Sequence, residues 1–305
     1  MKKSELVNRR KFLLQSTAIV SAPLLAFSGL SKAAAAKYKM GLQLFTVRGP
    51  LASDLVGTIK KIAAIGYEDS ETYGYDPVKG TYYGLKASAF KDLLAENKMI
   101  TTSGHYDFTR YFDQPTDDLL RYTDQCIEGA HALNQRYITW PWLDPKFRNL
   151  ENFKILSGKL NVIGERVKKA NLGFAYHNHD FEFTDYGGQN GYDIIMKNTD
   201  PALVKLQMDL YWVMHSSKLS PSDLISKQPG RFVMWHIKDM EAATAAAPKG
   251  QTCEVGKGTI DWKKLFESKE LAGLDYAFVE QEQYRLPVFE CIKISADYMK
   301  GNLLK

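Results

Sequence analysis

Phe174-Ala175-Tyr176-His177-Asn178-His179 is a short apolar run that ends in two imidazoles, and its form recurs along the chain. Val204 to Asp209 is a second apolar run ending in a carboxylate, and Arg231 to Ile237 a third, with His236 near its end. Short apolar runs of this length read as buried strands, and helical patterns fill the intervals between them. Phe153, Leu156, Leu160, Ile163 and Val167 fall on one helical face just before the first of these runs. Such alternation is the signature of β/α units around a parallel sheet.

Working outward, the same reading gives eight strands. Met40 to Val47, Tyr67 to Thr72, Ile100 to His105 and Arg136 to Trp140 precede the three runs, and Tyr276 to Glu280 follows them. Helices are predicted after Ser53-Asp54 (Leu55, Ile59 and Ile62 on one face, closed by Gly66), over Phe90 to Asn97, and after Asp261 (Trp262, Leu265, Phe266). A last helix carries Ile292, Ala296, Met299 and Leu303 on one face. Eight strands with intervening helices is a barrel count, and the expected fold is a single (β/α)8 barrel over residues 37–305. A doubly wound open sheet is the alternative, but no glycine-rich nucleotide loop follows the first strand.

Residues 1–36 carry Lys2, Lys3, Arg9, Arg10, Lys11 and Lys32 against Glu5, so the whole formal charge of +5 sits there and the remainder is balanced. A neutral barrel has no global basic footprint for nucleic acid. Arg9-Arg10-Lys11-Phe12-Leu13, a moderately apolar stretch to Leu30 and the small residues Ala33 to Ala36 read as a cleaved twin-arginine signal. The stretch is too polar for a transmembrane anchor. Export to the periplasm or medium is expected, with no stable membrane anchor after cleavage and homo-oligomerisation left open. Cys126, Cys253 and Cys291 make no C-x-x-C pair and are assigned no chemistry.

Metal-capable side chains fall at the same end of successive strands. His105 ends the third, His177 and His179 the fifth and Asp209 the sixth; His236 ends the seventh, and Glu280 and Glu282 lie on the eighth. Strand C-termini of such a barrel converge on one site. Residues two apart share a side, so His177 with His179, His236 with Lys238, and Glu280 with Glu282 can each act together. Mixed imidazole and carboxylate ligation suits one divalent ion such as Mn, Zn, Co or Fe better than Ca.

The chain resembles the sugar isomerase/epimerase superfamily of xylose isomerase-like barrels over residues 38–305. The resemblance rests on Gly41-Leu42-Gln43-Leu44-Phe45-Thr46-Val47-Arg48, Gly66-Tyr67-Glu68, Tyr176 to Phe183, Gln207-Met208-Asp209, His236-Ile237-Lys238-Asp239, Val255 to Trp262 and Phe278-Val279-Glu280-Gln281, in that order. It implies a metal held by Asp209, His236 and Glu280, with His177 where the family usually has Glu. That departure removes the pair of matched glutamates with which the family's epimerases move a proton beside a carbonyl.

The expected activity is therefore isomerisation or epimerisation of a small carbohydrate by metal-assisted proton abstraction. The alternatives are a lyase or hydratase of 3-keto-glycosides, which needs no matched carboxylates, and a non-catalytic sugar-binding barrel. A DNA-repair nuclease is disfavoured by the balanced charge. Candidate acid and base groups are His179, Glu182 and Glu282, with Lys238 placed to neutralise oxyanion charge. Phe45, His105, Trp140, Trp142 and Tyr211 are candidate substrate-binding residues.

Overall fold

The computed structural model describes residues 38–245, 247 and 249–304; the leader expected from the sequence lies outside them. Eight parallel strands close into a barrel: β1 (Met40–Gln43), β2 (Asp69–Thr72), β3 (Ile100–His105), β4 (Tyr137–Trp140), β5 (Gly173–His177), β6 (Lys205–Asp209), β7 (Met234–Ile237) and β8 (Tyr276–Val279). Each is paired in chain order, and β8 pairs with β1 to complete the ring.

Strand alternation divides the apolar residues into two sets. Phe174 and Tyr176 of β5, Leu206 and Met208 of β6, Trp235 and Ile237 of β7, and Ala277 and Val279 of β8 join the large core beneath the helices. Ala175, Met234 and Phe278 form a separate small cluster inside the barrel. Inward positions further along β5, β6 and β7 are His177, Gln207, Asp209 and His236, all buried. The lumen thus has an apolar floor and a polar upper layer, and the polar layer lies at the strand C-termini.

The helix through Phe153 and Val167 spans Leu150–Lys169, and Asn149 caps it by accepting from Asn152 N. Asp54 caps Leu55–Ile65 in the same way, and Asp261 caps Trp262–Phe266. Two expectations shift. The first strand stops at Gln43, because the Gln43 side chain accepts from Phe45 N at 3.0 Å and bends Leu44–Val47 into a 3-10 turn. A small antiparallel sheet (Tyr75–Asp76, Thr81–Tyr82, Leu85–Lys86) and a helix over Thr116–Ala132 were not foreseen. Among the described residues no helix is long and apolar enough to cross a membrane.

The motif Val255 to Trp262 acquires a physical reason here. Asp239, which directly follows Lys238, is fully buried and accepts from Gly256 N (2.8 Å), Gly258 N (3.2 Å), Ile260 N (3.3 Å) and Trp262 Nε1 (2.8 Å). A Cβ on Gly258 would meet Asp239 Oδ1 at 2.3 Å, and Gly256 has φ +84°. Only glycine lets the loop close this tightly on the carboxylate. Asp239→Ala strands these buried donors and is expected to destabilise the fold by on the order of 3 kcal/mol, read by urea unfolding. A variant within about 0.5 kcal/mol of the parent would mean that the loop holds itself.

Candidate functional site

Glu71, at the end of β2, occupies the centre of the polar layer and was missed in the sequence. Its Oε2 accepts from Gln43 Nε2 (2.7 Å) and His236 Nε2 (2.5 Å), and its Oε1 from Ser103 Oγ and Gln207 Nε2 (2.6 Å each). His105 Nε2 stands 3.1 Å from the same carboxylate. Burial alone would raise the Glu71 pKa, but the His105 and His236 imidazoles outweigh it and hold it well below the ordinary range. The available signal was the wholly polar strand Asp69-Ser70-Glu71-Thr72, odd for a buried strand unless the lumen itself is polar.

From Glu71 the order spreads to the imidazoles. Burial would push His236 down, but Glu280 and Glu71 raise it to about 10. Its Nε2 faces Glu71 Oε2 at 2.5 Å and its Nδ1 faces Glu280 Oε2 at 3.0 Å. Gln207, also missed, fixes two further rings: its Oε1 accepts from His105 Nε2 (2.7 Å) and His177 Nδ1 (3.0 Å). His177 is held neutral, its pKa depressed by burial and by the neighbouring imidazoles. Its Nε2 faces Asp209 Oδ2 at 3.9 Å. Gln207 sits two residues before Asp209 on the same strand, so alternation could have placed it.

His177, Asp209, His236 and Glu280 bring one donor atom each to within 4.8 Å of one another. Asp209 Oδ1 caps the following helix by accepting from Trp212 N (3.1 Å), while the buried Oδ2 meets the Lys238 ammonium at 2.9 Å. Two imidazoles and two carboxylates fit a divalent transition metal. The hydrogen bonds on the far side of each ring are of the kind that orient metal-bound histidines.

Lys238 lies elsewhere than expected. Its ammonium is fully buried, 2.9 Å from Asp209 Oδ2, 2.7 Å from Glu280 Oε2 and 2.6 Å from Glu282 Oε1. Burial opposes its charge, yet these carboxylates raise its pKa well above the ordinary value. With its N–H groups directed to carboxylates, it stiffens the cluster and does not reach the cavity.

Above the cluster opens a cavity of about 730 Å³, to which Phe45, His105, Trp142, His177, His179, Glu280 and Glu282 contribute. Phe45 and Trp142 are 38% and 40% exposed there. Trp212, missed in the sequence, also lines it. His179 Nδ1 is buried without a hydrogen-bond partner among the described residues, and burial followed by the Lys238 charge holds the ring pKa well below its ordinary value. Trp140 and Tyr211 are not in the wall. Trp140 packs on Phe108 with Nε1 donating to Trp142 O, and the Tyr211 hydroxyl donates to Gly250 O. Both are large aromatics whose polar ends find backbone acceptors, so they sit in the protein interior.

Glu182 is likewise absent from the cavity. It accepts from Tyr176 Oη (2.7 Å) and His179 N (2.9 Å), so it shapes the loop that carries His179. Burial raises its pKa from the ordinary 4.5 to about 8, against both hydrogen bonds. The folded chain therefore holds an extra proton in that window. The stability from this group is full below about pH 4.5 and is lost as pH rises through about 8. Glu182→Gln is expected to flatten this decline in urea midpoints taken at acid, neutral and alkaline pH. Parallel profiles for parent and variant would contradict it.

Comparison with known proteins agrees with this architecture. The profile of the xylose isomerase-like TIM barrel family matches residues 59–285. Inosose dehydratases of Clostridium tetani and Clostridium botulinum are each 23% identical, over 68% and 74% of this chain and 75% and 81% of theirs. The crystal structure of a sugar phosphate isomerase/epimerase from Parabacteroides distasonis, 26% identical, aligns with a TM-score of 0.74 over 90% of this chain and 97% of its own. The IOLI protein with a bound zinc atom, at 14% identity, TM-score 0.66 and coverage of 86% and 97%, shares the fold. From its closed barrel and its sequence alike, the chain belongs to the xylose isomerase-like TIM barrel family.

Proposed function

We propose that this chain is a metal-dependent lyase of cyclic polyhydroxy ketones, which removes the proton beside the carbonyl and expels a β-oxygen substituent. The carrying observation is a neutral imidazole, His179, with an unbonded Nδ1 in the cavity wall beside four side chains that fit a divalent ion. An ion held by His177, Asp209, His236 and Glu280 would polarise the carbonyl and stabilise negative charge on its oxygen. His179 takes the α-proton; the C–H pair forms the C=C bond, and the β C–O bond breaks. The proton then passes to the departing oxygen, which leaves as water or an alcohol. Glu282, tied to Lys238 at 2.6 Å and lining the cavity, is the second candidate for that transfer.

Elimination is preferred because His177, anchored through Nδ1 to Gln207, stands where a mobile carboxylate would be needed for symmetric proton transfer. The dehydratase names of the Clostridium relatives point the same way. Isomerisation is the second reading, since Glu282 and His179 both line the cavity and could exchange a proton across a substrate. The twin-arginine signature would carry the folded protein out of the cytoplasm to glycosides and cyclic polyols.

Two experiments test this reading. The purified barrel should retain about one equivalent of Mn, Zn, Co or Fe through dialysis, and Asp209→Ala with His236→Ala should abolish it. Metal retained by that double variant overturns the site. Metal-loaded protein incubated in deuterated water with an inosose or a 3-keto-glucoside should release water or aglycone. Deuterium incorporation with an intact carbon skeleton and no release would establish isomerisation instead, and neither would exclude both.

A further inference from the structure

The cavity is larger than a monosaccharide needs. Its volume of about 730 Å³ would hold roughly two dozen waters at about 30 Å³ each, while a hexose has about a dozen heavy atoms. The surplus lies to one side. All four candidate ligands lie at the C-terminal ends of β5 to β8, whereas the loops after β2 and β3, across the barrel, add Tyr73, Tyr75, Tyr106, Asp107 and Arg110 to the wall. We propose that this half of the cavity is a subsite for an aromatic aglycone, so that the substrate is an aryl glycoside with its oxidised sugar over the metal cluster. The assignment rests on the reading that the sugar carbonyl is addressed at that cluster.

The chemistry of this half selects an aryl ring over a second sugar. The Tyr106 hydroxyl is turned away from the cavity's needs, donating to Gln135 Oε1 (2.6 Å) and sharing a 2.7 Å hydrogen bond with Tyr82 Oη. Tyr75 packs against Tyr106 and Tyr82, and Tyr73 stands edge-on to Phe45 at 5.3 Å. The half-buried rings of Tyr73 and Tyr75 are left to offer a ligand ring surface, which matches a flat aryl face. Arg110 completes the wall. It lies 5.5 Å over the Tyr122 ring and has no ion-pair partner among the described residues, so its guanidinium can stack on an aryl ring.

Binding of unreactive probes tests the subsite apart from the chemistry. Phenyl β-glucoside should bind the purified mature chain about tenfold more tightly than methyl β-glucoside in calorimetric competition, a modest gain for one stacked ring. Tyr73→Ala and Arg110→Ala should each erode that preference while methyl β-glucoside affinity is kept. Arg110 is exposed, so its variant decides the matter if Tyr73→Ala folds poorly. Equal binding of the two glucosides, a preference untouched by both variants, or cellobiose binding best would each overturn the proposal. Phenyl preference without elimination from a 3-keto-glucoside keeps the subsite and removes the reaction. Elimination without phenyl preference does the reverse.

Discussion

A carboxylate sealed inside a barrel must be surrounded by donors or cations, and Glu71 imposes that requirement on the whole polar layer. Leaving such a group unpaired costs several kcal/mol. Its two oxygens draw Gln43, Ser103, Gln207, His105 and His236 from β1, β3, β6 and β7 toward one point. Because His236 is held through Nε2, its Nδ1 is the nitrogen left for the ligand cluster, and because Gln207 is held by Glu71, its oxygen is free to orient His177 and His105. The candidate metal donors are thus aimed by a residue that is not among them.

Lys238 makes a second electrostatic centre, and the two divide the work. Glu71 orders the imidazoles, whereas Lys238 gathers the carboxylates of Asp209, Glu280 and Glu282. Asp239, the next residue, faces the opposite way and anchors the loop to Trp262. Strand alternation continued past the end of β7 thereby ties the carboxylate cluster and the loop after it to one dipeptide.

The barrel was legible because its strands are short apolar runs with opposite-facing partners, as in Phe174 to His177 and Lys205 to Asp209. Side chains at strand ends inherit a common destination from the fold, which is why His177, Asp209, His236 and Glu280 could be grouped before their distances were known. Orientation beyond the strand end was not legible. Glu182, Trp140 and Tyr211 have suitable chemistry, yet each turns to a partner that periodicity does not encode: Tyr176 Oη, Trp142 O and Gly250 O. Glu71 and Gln207 were hidden for the converse reason. They lie within strands, where a polar residue is easily read as an imperfect core position.

Asp209 divides its oxygens between two tasks, Oδ1 closing the turn at Trp212 N and Oδ2 meeting Lys238 within the donor cluster. The helix that begins there has its cap whether or not an ion is present. The candidate donors are therefore brought together by folding itself.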